Sequence, residues 1–209
     1  MFKWSAIVDH LKSMHRYIAF SVILFMAGLV VGATNSALHG YLGGQVEAIR
    51  ELGETLRQSS DPTLSFMVFI FINNAVKAVF VIYLGALLGI VPAFFLVVNG
   101  MVLGYLFYLK QLEAGAGGTL DMFLRGILPH GILEIPAVVV AAAYGLKFGA
   151  LVWKRIFIPG GKGAEGAGTE LRRFVPRTVP LGIVVVAVLL VASIIESTIT
   201  PWLMGTSLS

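Results

Sequence analysis

Long apolar runs separated by short polar stretches dominate this sequence. The run at 64–112 is nearly unbroken. It is too long for a single crossing, because about 20 apolar residues already cross a bilayer as a helix. Gly89-Ile90-Val91-Pro92 is the natural break, since proline cannot continue the helical hydrogen-bond ladder. We therefore predict an all-α fold, a polytopic membrane helical bundle that forms a single membrane domain over residues 1–209. Its transmembrane helices, about five in number, are expected near 18–38, 64–89, 92–111, 129–153 and 179–200.

The polar stretches between these runs predict short surface elements. Residues 1–17 place Trp4, Ile7, Leu11 and Met14 at helical spacing, which indicates an amphipathic helix on the cytosolic surface. The other expected elements are an extracytoplasmic amphipathic helix in 39–63, a flexible loop at 113–120, a short amphipathic or re-entrant piece at 121–128, and a glycine-rich, basic, partly mobile cytosolic linker at 154–178.

Two local signals bear on the first two membrane helices. A basic start followed by an apolar run resembles a signal peptide, but the basic region is long and lacks a small-x-small cleavage site. We expect the first helix to be retained. Asp61-Pro62 is expected to cap and start the second helix.

Composition and charge agree with a membrane protein and give its orientation. The chain is 57% hydrophobic and 12% charged, whereas soluble domains carry about 25% charged residues. The net charge of +4 does not indicate nucleic-acid binding, because the basic residues flank apolar segments. They concentrate in 1–17 and 154–178. We therefore expect a cell-membrane protein with a cytoplasmic N-terminus and an extracytoplasmic C-terminus.

Pairs of glycines four residues apart occur in four of the predicted membrane helices. Such pairs let helix backbones approach closely in lipid, where apolar surface alone gives helices little reason to associate. We expect them to pack the bundle internally, and the alternative is an interface of a homo-oligomer or with a membrane protein partner. The pairs are Gly28/Gly32, Gly85/Gly89, Gly100/Gly104 and Gly145/Gly149.

Polar side chains inside the apolar segments are the candidate functional residues. With the expected topology, those on the second, fourth and fifth helices fall in the outer half of the membrane and could meet, with Asn99 deeper on the third. One interpretation is a satisfied structural network in which Lys77 pairs with Glu134 or Glu196. The other is a lined cavity, an ion path or a ligand site. The cluster is Asn73, Asn74, Lys77, Asn99, His130, Glu134 and Glu196.

We predict no enzymatic activity, cofactor or metal site. Cysteine is absent, and neither H-E-x-x-H nor G-x-S-x-G occurs, so the chain lacks recognisable membrane-protease chemistry. His130 and Glu134 offer two metal ligands, and a site needs more. The other histidines, His10, His15 and His39, lie near other segment ends.

Three stretches of the chain, from about residue 66 onward, resemble the stage II sporulation protein M family. They are FINNAVKAVFVIYLGALLGIVPAFFLVVNGMVLG, LPHGILEIPAVVVAAAYGLKFG and IIESTITPW, in that order. The matching positions are Asn73-Asn74, Asn99-Gly100, Pro129-His130-Gly131, Glu134 and Glu196. The resemblance implies a prokaryotic multi-pass membrane protein. The family's founding sporulation protein belongs to a membrane complex that recruits peptidoglycan-degrading enzymes, while PHGILE is closer to a broad branch found also in prokaryotes that do not sporulate.

Two functional hypotheses follow. The first is a non-enzymatic membrane scaffold or partner-binding component, which the resemblance implies, with the lipid bilayer and membrane proteins as partners. The second is a channel or transporter for an ion or small molecule that uses the polar cluster. A cavity that reaches Glu134 and Asn73 would favour the second hypothesis. Residues that are tightly paired and closed to both sides would argue against it.

Overall fold

The computed structural model describes residues 4–158 and 162–205, which are almost entirely helical apart from short turns and contain no strand. The all-α prediction is confirmed. A 3-10 turn at Ser36–Leu38 and a π-helical turn at Met122–Ile127 separate some of the helices. The α-helices are α1 (Trp4–Ser13), α2 (His15–Thr34), α3 (His39–Arg57), α4 (Pro62–Leu84), α5 (Ile90–Asp121), α6 (Leu128–Phe157) and α7 (Lys162–Leu203).

Four helical segments among the described residues are long and apolar enough to cross a membrane. Two of them are α2 and α4, a third is Gly166–Leu203 within α7, and the fourth is Ile90–Phe157. This last segment has 68 residues, about three times the length that one crossing needs. It contains both α5 and α6, so it can cross twice. The architecture is therefore close to the predicted bundle of about five helices.

The bundle has two apolar cores that meet at α6. One core joins α4, α6 and α7 around the buried side chains of Ile82, Tyr144 and Leu189, and α1 adds Met14 to it through its junction with α2. The other joins α2, α5 and α6 around Leu96. Helix α6 is thus the central element, and residues at its two ends are held from several sides.

The eight glycines named from the sequence lie where helix backbones meet. Gly28 and Gly32 of α2 face the backbone of α5 at Val97 and Met101. Gly100 and Gly104 of α5 face the backbone of α2 in turn, at Phe25 and Leu29, and the C-terminal end of α4 meets α6 through Gly85 with Gly145 and Gly89 with Gly149. A Cβ atom at most of these positions would overlap a backbone atom of the neighbouring helix. These glycines therefore pack within one chain.

The segment that follows the third membrane helix differs from the prediction. Residues 113–120, expected as a flexible loop, continue α5 to Asp121, with one break at Gly115 (φ 65°, ψ −168°). Residues 121–128, expected as an amphipathic or re-entrant piece, contain the π-helical turn. A helix satisfies its own backbone hydrogen bonds, which a loop close to lipid cannot do. The third helix is correspondingly longer than 92–111.

The expected linker at 154–178 is also largely helical. Helix α6 runs on to Phe157, and α7 begins at Lys162. Phe174, within this stretch, is 2% exposed and packs on Tyr144, so the segment gains apolar burial by forming a helix. Residues 159–161 lie outside the described part of the chain.

Smaller corrections concern the ends of the first two membrane helices. Helix α2 ends at Thr34 rather than near Leu38, because Asn35 leaves the helical conformation and its side chain caps the 3-10 turn by accepting from the Ala37 backbone N–H. Helix α4 ends at Leu84, ahead of the predicted break. Leu88 and Gly89 adopt positive φ in the turn that follows.

Candidate functional site

Two helix faces meet in register near the first turns of α6. His130 and Glu134 are one turn apart on α6, and Glu196 and Thr200 are one turn apart on α7. The His130 Nδ1 atom lies 3.4 Å from the Thr200 Oγ1 atom. Ligand atoms of His130, Glu134 and Glu196 all lie within 4.8 Å of one another. The helices are therefore antiparallel here, with His130 opposite Thr200 and Glu134 opposite Glu196.

The sequence around His130 and Glu134 contains features that interrupt a regular helix. Pro129 occupies the first turn of α6, the π-helical turn ends at Ile127, and Pro136 lies inside α6 about two turns after Pro129. A proline inside a helix leaves the carbonyl four residues earlier without its usual partner. π-helical turns often accompany functional sites. His130 and Glu134 thus lie on a stretch of α6 that is bounded by irregular backbone on both sides.

Helix α4 supplies the amide groups of the cluster. The Asn73 Nδ2 atom donates to the Asn74 Oδ1 atom at 3.4 Å. The Asn74 side chain lies beside the Glu134 carboxylate, and the positive charge of Lys77 also acts on that carboxylate. Among the described residues, no ion pair joins Lys77 to Glu134 or Glu196. The ion pair that the structural interpretation requires is therefore not formed in the described part of the chain, and neither carboxylate makes a salt bridge there.

A cavity of about 480 Å³ opens onto these side chains beneath α3. One wall is the apolar stripe of α3, including Ile49, Leu52 and Leu56. The rest of the lining combines apolar side chains of α4 (Phe66, Phe69 and Ile70) with all the cluster members except Asn99, namely Asn73, Asn74, Lys77, His130, Glu134 and Glu196. The surface helix thus covers a largely apolar cavity that contains one group of polar and ionisable side chains.

A second cavity, of about 320 Å³, lies on another side of the same three residues. His130, Glu134 and Glu196 line both cavities, and Asn99 lines only the second. The Asn99 side chain donates to the Phe95 carbonyl oxygen at 2.7 Å, so it is partly committed to its own helix. The structure thus brings six of the seven predicted residues into one cavity and joins the seventh through a neighbouring one.

Sequence reasoning did not identify two contributors to this site. Thr200 carries a signal that could have been found, because it stands one turn after Glu196, just as Glu134 stands one turn after His130. Gln45, a polar residue of α3 that lines the larger cavity, carries no such signal. Its place depends on how α3 folds back over α4.

A second polar group, against the C-terminal half of α6, was also not identified from the sequence. The His10 ring contacts Tyr144 edge-on, with ring centroids 5.3 Å apart, and lies 6.1 Å from Phe174. Burial lowers the pKa of His10, and the charges of Arg177 and Lys147 lower it further. The His10 Nε2 atom is buried without a hydrogen-bond partner. This contact docks α1 against α6 and α7.

Comparison with known proteins places this geometry in a family. An uncharacterized protein of Methanocaldococcus jannaschii is 29% identical over 195 residues, which are 90% of this chain and 82% of that protein. No solved structure matches the chain. The family model described as stage II sporulation protein M matches residues 21–201, a range that includes both cavities and α2 through most of α7. The chain is thus a multi-pass membrane protein that belongs to the stage II sporulation protein M family.

Proposed function

We propose that this protein binds a small ion or polar solute in the cavity beneath α3 and passes it through the bundle, without enzymatic chemistry. The observation that carries the proposal is the cavity of about 480 Å³ that reaches Asn73 and Glu134. Ionisable groups are costly in the hydrocarbon region, and where they occur they usually line a pathway or pair with one another. Here no salt bridge joins either carboxylate to a cation among the described residues, which favours a pathway.

The two cavities suggest the course of that pathway. His130, Glu134 and Glu196 stand between them, so a solute that enters beneath α3 meets these residues before it reaches Asn99. Proline- and glycine-interrupted helices often border solute sites in transporters. Pro129 and Pro136 bracket the site on α6. By the distribution of basic residues, we place the α3 side outside the cell.

The absence of cysteine from the natural sequence permits a direct test of access. Asn73→Cys introduces a thiol into the cavity wall, and Ile72→Cys introduces one at a neighbouring position that is 52% exposed on the bundle surface. Because the thiolate is the nucleophile that attacks such a reagent, and a thiol ionises in water rather than in lipid, a membrane-impermeant methanethiosulfonate should label Asn73→Cys in intact cells. Ile72→Cys, which faces lipid, should stay unlabelled. Equal labelling of both variants, or of neither, would contradict the proposal.

Flux through reconstituted vesicles tests passage itself. Protein in liposomes should carry at least one of three imposed gradients, namely protons, sodium or a divalent cation, faster than protein-free liposomes. Glu134→Gln should slow that flux, because it removes a charge from the wall that the two cavities share. The exposed surface residue Glu113 supplies the matched control, Glu113→Gln. If all three gradients persist as they do in protein-free liposomes, passage of ions is refuted.

A second candidate is the membrane scaffold or partner-binding role. What supports it is family membership together with the exposed apolar side chains of α3, since Tyr41 is 56% exposed and Ile49 is 60% exposed. Mild-detergent extraction of native membranes should then recover a membrane protein partner in a fixed ratio. Tyr41→Ala should reduce that recovery. Repeated isolation of the chain by itself would count against this role.

A further inference from the structure

Three side chains of the shared cavity wall resemble a metal-binding set. His130 and Glu134 project from one face of α6, and Glu196 joins them from α7, with all three ligand atoms within 4.8 Å of one another. An ion bound at about 2.0–2.2 Å holds its ligands about 3–4 Å apart, so side-chain rotations alone can bring them together. The sequence alone indicates two ligands, His130 and Glu134. The third, Glu196, is brought to them because α6 and α7 pack in register.

The charges of the set suit a divalent cation. Two carboxylates close together in a medium of low dielectric repel each other strongly unless a proton or a cation lies between them. A divalent cation carries two positive charges, as many as the negative charges of ionised Glu134 and Glu196. Lys77 supplies only one positive charge and makes no ion pair with either residue in the described part of the chain.

The contact to Thr200 prepares His130 as a ligand. When the His130 Nδ1–H group donates to the Thr200 hydroxyl, 3.4 Å away, the Nε2 atom keeps a free lone pair. Metal-binding histidines generally donate their second ring N–H in this way, which fixes the tautomer and the orientation of the ring. Thr200 is 8% exposed, so water competes little for this bond.

The two cavities provide access and room for further ligands. Three protein ligands leave at least one coordination position open, and here such a position faces a cavity on either side. The Asn74 amide on α4 lies beside Glu134 and can orient its carboxylate. A site closed by four protein ligands would serve structure alone. An open one suits an ion that enters and leaves.

We propose that His130, Glu134 and Glu196 bind a divalent transition-metal ion within the membrane, with Thr200 and Asn74 as positioning residues. An imidazole ligand favours transition metals such as Zn²⁺ and Fe²⁺ over Mg²⁺ and Ca²⁺, which prefer oxygen ligands alone. The inference rests on the proposed function to the extent that the ion arrives through the cavity beneath α3, and it names the class of solute for that site.

Calorimetric titration of the full chain in lipid nanodiscs with Zn²⁺ tests the site. We expect one Zn²⁺ per chain for the natural sequence. Binding should be lost, or weakened at least about 100-fold, in His130→Ala, Glu134→Gln and Glu196→Gln. Thr200→Val should weaken it about 10- to 100-fold, as is typical of residues that orient a ligand. Lys77→Met should bind at least as tightly as the natural chain, because the ammonium repels the ion.

Matched controls separate this site from surface binding. His39→Ala and Glu113→Gln remove groups outside the set and should leave the titration unchanged. If they weaken binding as much as Glu196→Gln does, or if Glu196→Gln binds as tightly as the natural chain, the proposal is overturned. Circular dichroism and thermal unfolding of each variant establish that it is folded.

A measurement on the natural chain covers the case in which a variant fails to fold. X-ray absorption at the zinc edge should give nitrogen and oxygen neighbours at about 2.0–2.2 Å, with the outer-shell scattering of a single imidazole ring. A shell of oxygen alone would overturn the proposal. Failure here is distinguishable from failure of the proposed function, because labelling of Asn73→Cys tests the cavity without metal.

Discussion

The closest contacts between α2 and α5 depend on glycines that face the opposing backbone. A Cβ atom at Gly104 would overlap the carbonyl oxygen of Leu29. Such an overlap cannot be relieved by rotating a side chain, so the helices themselves would have to separate. Overpacking of this kind typically costs about 1–3 kcal/mol. We therefore attribute part of the stability of the bundle to the absence of a methyl group at this position.

The prediction is that Gly104→Ala lowers the free energy of unfolding by at least about 1–3 kcal/mol, measured by thermal or denaturant unfolding in detergent. Gly44→Ala is the matched control, because a Cβ atom at Gly44 meets nothing within 4 Å. Since alanine favours helix over glycine by up to about 1 kcal/mol, the control should be neutral or stabilising. Equal destabilisation in both variants would argue against close helix packing as the cause.

The docking of α1 should depend on pH through His10. Burial, with Arg177 and Lys147, lowers the pKa of His10 from 6.5 in the folded protein. The unfolded or undocked state therefore binds the proton more readily, and stability falls as pH drops below 6.5. Above 6.5 the imidazole is neutral in both states and contributes no pH dependence.

Hydrogen exchange of α1 provides the measurement. In the natural chain, exchange in α1 should accelerate between pH 7 and pH 5 beyond the intrinsic pH dependence of the amides. His10→Gln, which is uncharged throughout, should remove that excess. His15→Gln is the control because the His15 Nδ1 atom bonds only to the Lys12 carbonyl at an exposed position. An unchanged excess in His10→Gln would refute the assignment.

At the scale of the helices, the break at Gly115 allows the conformational cost of a glycine substitution to be distinguished from its steric cost. Gly115 has φ 65° and ψ −168° inside α5, a conformation that is essentially restricted to glycine. A Cβ atom there would meet nothing within 4 Å, and the same holds for the neighbouring Gly117. The two glycines therefore differ in backbone conformation and hardly at all in the space around them.

Gly115→Ala should lower the free energy of unfolding by about 1–3 kcal/mol, whereas Gly117→Ala should raise it by up to about 1 kcal/mol. Thermal unfolding of the two variants beside the natural chain checks the difference in sign. A stabilising Gly115→Ala would mean that α5 continues without a break through this residue.

Helix starts governed by local chemistry could be predicted from the sequence, and long helices between apolar runs could not. The Asp61 Oδ1 atom accepts from the Leu64 backbone N–H at 3.0 Å, and Pro62 opens α4, as the Asp-Pro pair indicated. The composition of 113–120 and 154–178 is typical of a loop and a linker, and both are largely helical. The helix in the second segment depends on tertiary burial, as at Phe174, which composition does not record, whereas no residue of 113–120 is buried.

The candidate site likewise has one part that local sequence predicts and another part that it does not. That His130 and Glu134 share a face follows from helical geometry alone, and so does the pairing of Glu196 with Thr200. The register between α6 and α7 depends on how two cores pack, and no local pattern encodes it. Charge alone indicates an ion pair of Lys77 as one of two interpretations, whereas the cavity beneath α3 gives its ammonium room to stay apart from both carboxylates.

For the whole molecule, orientation decides which solution the cavity beneath α3 meets. Basic residues concentrate in 1–17 and 154–178, and cytoplasmic segments carry an excess of Lys and Arg. Because α3 precedes the second membrane helix, α4, a cytoplasmic N-terminus puts α3 outside. The His10 contact, against the C-terminal half of α6, would then lie toward the cytosolic side of the bundle.

Two single cysteines in the cysteine-free chain test this orientation. Gly44 on α3 and Gly166 on α7 are exposed, and an added Cβ atom meets nothing within 4 Å at either position, so substitution should leave the fold intact. An impermeant maleimide should label Gly44→Cys in intact cells and Gly166→Cys only after lysis. The reverse pattern would place the cavity on the cytosolic side. The polar side chains of the cavity would then meet solutes from the cytoplasm. This measurement therefore determines on which side of the membrane a solute must be supplied in a transport assay.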